Sequence, residues 1–395
     1  MRIGFFGGSF DPIHNGHISM IEGALRSGAV DKVVVIPAAR NSFKRGRTLS
    51  AAPYRFYMVK ETLDDLFGEN VEVSDAEMFI DGISYTATTL ERLCTEKDEY
   101  YWICGSDILP TFDKWRDPGK ILSYVTLLVA KRPGDTTDIE HEKERLQDIF
   151  GDLLRVEAFD IKGYEEASSR IRSDGDLSNV PAKAAEFIKT HDLYGSGKAI
   201  YDASDSAAEA FLEYAIAMYP LLKKKRLLHT LNVGLLAARY AKLLGSDIDK
   251  ALIAGCLHDC AKELPVEQQT ELAKRRCGDL FTHERLLHSP AGAEYAKEVF
   301  GIEDEEILDA ITYHTTGRGG MTVLDKIVYL ADKLEPARTY ADLTDMRAYA
   351  GSKETFDEAV RLCLASVLDK FERKGIGVHP LSLEFASELF GDKPS

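Results

Sequence analysis

The chain has 395 residues, 45% hydrophobic and 29% charged, which excludes a disordered polymer and leaves room for two domains of ordinary size. Its formal net charge is −16, with acidic residues in excess in both halves, which excludes the basic face of a nucleic-acid binder. No apolar run approaches the roughly 18 residues of a membrane span, and the N-terminus lacks a signal-peptide pattern, so a cytoplasmic protein with no membrane partner is expected. The six cysteines contain no CxxC pair, which argues against a zinc ribbon and a disulfide framework; Cys256 and Cys260, one helical turn apart, read as buried thiols.

In chain order, β-rich runs at 2–6, 32–37, 71–76, 100–104, 126–130 and 154–158 alternate with helical patterns such as 53–67, 85–96 and 139–150. Short strands separated by helices imply a parallel sheet covered on both faces, with ligands at the C-terminal ends of the strands. After about residue 200 the strand signals stop. Leu227, Leu228, Leu231, Val233, Leu235, Leu236 and Tyr240 recur at helical spacing, as do Ile307, Leu308, Ile311 and Thr312, so the second half reads as all helical. Breaks are expected at Pro220, Pro265, Pro290, Pro336 and Pro380. Gly195-Ser196-Gly197 marks the junction, giving domains 1–197 and 198–395.

The first chemical signal is "GGSFDPIHNGH", residues 7–17, directly after the first strand. Gly7 and Gly8 permit a tight turn, and a helix beginning near His17 offers unpaired N–H groups to an anion. His14 and His17, just before and inside that first turn, suit a phosphate clamp that stabilises charge on a phosphoryl group. The plainer alternative is a pair of histidines that caps a helix.

With "SYTATTLERL" (84–93), "WICGSDILPTFDKW" (102–115), "LLVAKRPG" (127–134) and "SSRIR" (168–172), the first half resembles the bacterial nicotinate-nucleotide adenylyltransferases, within the superfamily that shares the T/SFDPxHxGH motif. The resemblance implies a Rossmann-like nucleotidyltransferase domain. It also implies that His14 and His17 contact the ATP phosphates, with Gly7, Ser9 and Phe10 in the nucleotide-binding turn and Lys44 neutralising phosphate from a loop. Gly105 and Asp107 would hold the adenylate ribose, and Ser168, Ser169 and Arg172 would grip the triphosphate. Thr86 would approach the nicotinate carboxylate, Trp115 would stack on the pyridine ring, and Arg132 would be a further phosphate contact. The chain departs from the family's pattern at Ala167, where a serine is usual, and before Lys44, where two prolines and a histidine are missing. The implied reaction joins nicotinate mononucleotide to the AMP part of ATP, with Mg²⁺, releasing pyrophosphate; phosphopantetheine or a sugar-alcohol phosphate is the alternative acceptor.

The second half places His229, His258-Asp259, His288, His314 and Asp332 at intervals of 29, 30, 26 and 18 residues, long enough for separate helices. Such ligands suit iron, manganese, cobalt or zinc rather than calcium. An adjacent His-Asp pair lets the carboxylate bridge two ions while the imidazole binds one. Asp332 would complete a first shell with His229 and His258, and His288 with His314 would hold the second ion. A metal pair generates a nucleophile at neutral pH and stabilises a leaving phosphate.

The phrases "LLHTLNVG", "HDCAKE", "LLHSPAGA", "AITYHTTG" and "YLADKLEP" resemble the HD-superfamily hydrolases of symmetric dinucleoside tetraphosphates over about 205–390. The resemblance implies an all-α HD-type domain that cleaves diadenosine tetraphosphate into two ADP molecules, with iron, Mn²⁺ or Co²⁺ as the metals. Cys260 stands where an aromatic residue is usual. Lys262 is a candidate phosphate contact, as are Arg318 and Arg338. His141, His191, His283 and His379 fall outside both motif sets and read as structural. The alternatives are a phosphohydrolase for other nucleotides or guanosine polyphosphates, and a nucleotide-sensing module.

Overall fold

The structure, a computed structural model, describes residues 1–40, 50–95, 97–131, 136–161, 168–339 and 343–391. The chain divides into two compact units, Met1–Lys189 and Thr190–Ser395.

The first unit is built on six strands, β1 (Arg2–Gly8), β2 (Lys32–Pro37), β3 (Val71–Val73), β4 (Glu99–Gly105), β5 (Val125–Lys131) and β6 (Val156–Asp160). All pair in parallel, in the order β3-β2-β1-β4-β5-β6. The central strands are continuous apolar runs, and Val33, Val35, Leu127, Val129 and Ala130 are fully buried. Burial on both faces is what a parallel sheet between helical layers requires. Those layers come from α1 (Asn15–Arg26), α2 (Ala52–Phe67), α3 (Thr86–Leu93), α4 (Pro118–Tyr124), α5 (Ile139–Phe150), α6 (Ser168–Asp174) and α7 (Ala182–His191). β1 lies between β2 and β4, so the strand order reverses beside it, which is where sheets of this kind form a ligand crevice, at the C-terminal ends of β1 and β4.

Several boundaries differ from expectation by one to three residues, as β1 does in running on to Gly8. β3 stops at Val73 and the chain turns through a 3-10 segment, Ala76–Phe79. Glu77 is drawn inward there, accepting from the Ala39 N–H (3.2 Å) and the Thr89 hydroxyl (2.9 Å). α3 ends at Leu93, because Cys94 adopts extended backbone angles, and β6 begins at Val156 rather than 154. α4 carries no sequence signal strong enough to separate it from the loop around it.

The second unit contains α8 (Asp205–Ala217), α9 (Lys224–Leu244), α10 (Ile248–Leu257), α11 (Val266–Cys277), α12 (Glu284–Phe300), α13 (Glu305–Tyr313), α14 (Val323–Leu334), α15 (Leu343–Ala350), α16 (Phe356–Arg373) and α17 (Pro380–Phe390). Its described residues hold no strand. Side chains of Ser204, Asp247, Asp304 and Thr322 accept backbone N–H groups at the starts of α8, α10, α13 and α14, satisfying donors that have no partner inside the helix. Pro265 and Pro380 begin helices, and Pro220 and Pro336 follow helix ends. Pro290 does not break a helix: it lies inside α12. The flanking His288, Ser289, Ala291 and Ala293 are all buried. Tertiary packing there overrides the loss of one backbone bond, a cost of about 3 kcal/mol.

All six cysteines are free, and Cys256 and Cys260 are both buried. No described helix is long and apolar enough to cross a membrane.

α9 and α10 cross at a glycine pair. A Cβ at Gly255 would fall 2.9 Å from Gly234 Cα and 2.9 Å from the Val233 carbonyl oxygen, both backbone atoms that cannot step aside. Gly255→Ala is therefore expected to force α9 and α10 apart and destabilise the helical unit by about 1–3 kcal/mol. A fall in its urea midpoint, with an unchanged slope, is the measurement that checks this.

Candidate active sites

The loop between β1 and α1 is held by backbone-directed hydrogen bonds. Arg55, on α2 and only 1% exposed, donates to the carbonyls of Ser9 (2.9 Å), Ala39 (3.2 Å) and Ser50 (2.9 Å). Asp11 accepts the Ser50 N–H at 2.9 Å. From α6, Arg172 donates to the Asp11 carbonyl at 2.5 Å and Ser168 to the Pro12 carbonyl at 3.0 Å, so both reach the histidine loop. Ser169 stays exposed.

His14 is the N-cap of α1 and His17 its third residue. The His14 backbone N–H donates to His17 Nδ1 at 3.2 Å, and the two rings stack with centroids 3.7 Å apart. A neutral His17 with Nδ1 as acceptor carries its proton on Nε2 and can present that N–H to a ligand. The capping alternative and the phosphate clamp are thus compatible, because ordering the turn engages Nδ1 of His17 and not Nε2. Phe10 is buried at φ +48° with its ring 4.9 Å from that of His17. At Gly7 the space a Cβ would occupy is filled by Trp102, 2.6 Å away, so the sheet's own packing requires this glycine.

Around the same crevice, Gly105 ends β4 and the exposed Asp107 opens a 3-10 segment, Ser106–Lys114. Thr86 is the first residue of α3. Trp115 is half-buried, its ring 5.4 Å from Phe112, so one face joins the core. Next to it Arg116, which the sequence did not single out, lies over the Tyr85 ring at 4.6 Å. Lys44 and Arg132 fall outside the described residues.

In the helical unit, six side chains from five places in the chain converge. His229 lies within α9, His258 caps the end of α10 and is followed by Asp259, His288 lies within α12, His314 caps the end of α13, and Asp332 lies within α14. Asp259 Oδ2 is 3.5 Å from His258 Nε2 and 3.9 Å from His229 Nε2, whereas Oδ1 is 3.3 Å from His288 Nε2 and 3.8 Å from His314 Nε2. Asp332 Oδ1 is 3.1 Å from His229 Nε2 and 3.7 Å from His258 Nε2. Donor atoms sharing a first-row ion at about 2.1 Å stand about 3–3.5 Å apart, close to this spacing. The carboxylate of Asp259 therefore divides its oxygens between two nests, one with His229, His258 and Asp332, the other with His288 and His314.

The histidines are aimed from behind. His258 Nδ1 contacts the Gly255 carbonyl and His314 Nδ1 the Ile311 carbonyl, each at 2.7 Å and each three residues back at a helix end. With Nδ1–H satisfying an orphan carbonyl, each Nε2 lone pair points into the centre. His229 Nδ1 is 3.2 Å from Glu335 Oε1. Burial pushes His258 down to about 4 and His288 and His314 down to about 3, so these three are neutral near pH 7, the form that binds metals. Burial opposes the Asp259 carboxylate, but the facing histidines and Arg226 outweigh it and hold its pKa below the usual range. His258 Nε2 and Asp259 Oδ1 are buried polar atoms with no hydrogen-bond partner. Such atoms are costly unless an ion engages them, so the donor set fits divalent transition metals.

Cations rim the centre. Arg226, one turn before His229, reaches Asp259 Oδ2 at 2.5 Å, and Arg338 reaches Asp332 Oδ1 at 3.0 Å. Lys262 lies 3.0 Å from His288, and burial lowers its pKa. Lys333 is 3.4 Å from Asp332 Oδ2. Arg318 takes another role: it bonds Asp309 and Asp325 and covers the Tyr313 ring. Cys260, in place of an aromatic residue, donates its thiol to the Gly292 carbonyl at 3.4 Å and so still ties α10 to α12. Arg226 and Glu335 were not read from the sequence; their spacing, three before and 106 after His229, is visible only once His229 is a ligand.

Comparison with known proteins assigns the two halves to two families. Residues 5–190 match the cytidylyltransferase-like family and residues 226–337 the HD domain family. A probable nicotinate-nucleotide adenylyltransferase of Clostridium novyi is 33% identical over 48% of this chain and 98% of its own length. A symmetrical bis(5'-nucleosyl)-tetraphosphatase of Halalkalibacterium halodurans is 36% identical over 43% of this chain and 91% of its own. Relatives that span both halves include a probable nicotinate-nucleotide adenylyltransferase/Ap4A hydrolase of Mycoplasma genitalium, 28% identical over 85% of this chain and 88% of its own. The chain belongs to the nicotinate-nucleotide adenylyltransferases through its first half and to the symmetrical bis(5'-nucleosyl)-tetraphosphatases through its second.

Glu335 supports His229 from outside the ligand set, and removing such a partner weakens metal binding about 10–100-fold. Glu335→Gln is expected to lower Mn²⁺ affinity within that range while leaving the fold intact, as read by chelator competition and circular dichroism.

Proposed function

We propose that the protein is bifunctional. Residues 1–197 transfer AMP from ATP to nicotinate mononucleotide, giving nicotinate adenine dinucleotide and pyrophosphate. Residues 198–395 hydrolyse diadenosine tetraphosphate, or a related nucleotide, to two ADP molecules. Both activities fit a cytoplasmic setting.

In the first reaction a phosphate oxygen of nicotinate mononucleotide attacks the α-phosphorus of ATP, and the bond to the bridging oxygen of pyrophosphate breaks. The nucleophile is already anionic, so positioning and charge neutralisation suffice without a strong base. His17 offers its Nε2–H, His14 lies stacked beside it, and Arg172 and Ser168 reach the same loop from α6. Lys44 and Mg²⁺ would add positive charge, with Arg132 as a further phosphate contact. The roles assigned to Gly7, Ser9, Phe10, Thr86, Gly105, Asp107, Trp115 and Ser169 follow the crevice at β1 and β4, where an adenylate and a pyridine nucleotide would meet.

The division of the Asp259 oxygens between two histidine pairs carries the second reading. Two ions bound there, iron, Mn²⁺ or Co²⁺, would lower the pKa of a water and stabilise charge on phosphate. His229, His258, Asp332 and Asp259 would hold one, and His288, His314 and Asp259 the other. Arg226, Lys262 and Arg338 would face the polyphosphate. Water oxygen bonds to a central phosphorus, the anhydride bond between the two middle phosphates breaks, and ADP leaves.

Full-length protein carrying metal, given diadenosine tetraphosphate, is expected to yield ADP alone, and Asp259→Ala to yield none; product separation by ion exchange checks both. AMP with ATP would mean a different register and would count against the reading. His17→Ala is expected to slow adenylyl transfer roughly 10²–10³-fold, measured as pyrophosphate release, with tetraphosphate cleavage unchanged as an internal control.

A further inference from the structure

We infer that His191 is a positioning residue of the metal centre. It belongs to neither motif set, and it ends α7, two residues past Lys189, where the contact-defined first unit stops. Its contact with Asn232 lies inside the helical unit.

The chain of hydrogen bonds runs inward in three steps. His191 Nδ1 lies 3.1 Å from Asn232 Nδ2. The same Asn232 nitrogen donates to Glu335 Oε2 at 2.8 Å. Glu335 Oε1 meets His229 Nδ1 at 3.2 Å, and His229 Nε2 is one of the atoms facing Asp332 and Asp259. All four residues are buried. An amide nitrogen carries two hydrogens, and the two acceptors here match them.

This arrangement gives each member a defined job. Glu335 orients His229 only if the carboxylate cannot rotate, and Asn232 pins its second oxygen. Asn232 sits three residues after His229 on α9, so both project from one helix face toward Glu335. Its amide could still rotate, and His191 fixes that rotation by accepting the other hydrogen. The Asn232 amide nitrogen can only donate, so Nδ1 of His191 is the acceptor in this contact. Removing the ring strands a buried N–H, which relaxes by turning Asn232 and freeing Glu335. The consequence is read at His229, three hydrogen bonds away.

The inference rests on the metal-centre reading above. Full-length wild-type, His191→Ala, His191→Gln and Asn232→Ala proteins would be titrated anaerobically with Mn²⁺ as probe ion by chelator competition, with thermal midpoints recorded in parallel. His191→Ala is expected to weaken Mn²⁺ binding about tenfold, within the range for outer partners of a ligand. His191→Gln, which keeps an acceptor, should restore most of it. Asn232→Ala should reproduce the loss, and the double variant should be no weaker than either single one, since both break one chain. A lowered midpoint with Mn²⁺ affinity within twofold of wild type would make His191 merely structural and overturn the inference. Wild-type protein that binds no Mn²⁺ would overturn the metal centre and this inference together. Mn²⁺ binding that follows the expected pattern without tetraphosphate cleavage would count against the substrate alone and still support His191.

Discussion

A buried carboxylate surrounded by imidazoles sets the terms for the helical half of this chain. Asp259 is 2% exposed, and an ionised group at that depth is tolerated only with partners on every side. The partners come from α9, α10, α12 and α13, with Asp332 of α14 facing the same pocket. Three of these side chains project from within helices, and two come from helix ends. α10 and α13 both finish on a histidine that caps its own last turn through Nδ1 and faces inward through Nε2. A backbone requirement and a ligand requirement are met by the same ring. The Gly234–Gly255 crossing then brings α9 close enough for His229 to share the Asp259 oxygen that His258 faces.

The nucleotidyltransferase half solves a different problem by similar means. Its site is a loop, and backbone carbonyls outside regular structure hold no shape unless something binds them. Arg55 takes three carbonyls from three separate segments, and Arg172 and Ser168 take two more. Two guanidinium groups are thereby fixed against the backbone of the histidine loop. In both halves the residues that do the chemistry are few, and the residues that fix their direction are more numerous and bond mainly to the main chain.

That division determines what could be read from the sequence. Periodicity changes from strand-helix alternation to helix alone, and this alone predicts the two fold classes. The cluster of His229, His258, Asp259, His288, His314 and Asp332 was legible because the phrases around these residues together resemble one family; any one of these histidines alone would read as an ordinary core or surface residue. Arg55, Arg226, Asn232 and Glu335 were not, since a hydrogen bond to a carbonyl or a carboxylate set behind a ligand imposes no spacing rule. Arg318 misled for the same reason: a cation beside a ligand motif looks like a phosphate contact until Asp309 and Asp325 are seen to neutralise it. Pro290 misled because local propensity favoured a break, whereas the buried face of α12 held the helix through it.

The chain's charge of −16 looks unsuited to polyanionic substrates, yet the charge that matters is local. At the metal centre three carboxylates, Asp259, Asp332 and Glu335, stand against Arg226, Lys262, Lys333 and Arg338, so the cations leave no negative excess before any ion is counted. His258, His288 and His314 add nothing to that balance, because burial keeps them neutral. Each divalent ion would then contribute its full charge to the pocket rather than compensate an existing deficit. In a site largely shielded from water that surplus acts at short range with little screening. A chain of acidic net charge can thus hold a pocket that attracts a polyphosphate, with His258, His288 and His314 kept neutral by burial, while at His229 burial is outweighed by the carboxylates of Asp332 and Glu335, which raise the pKa.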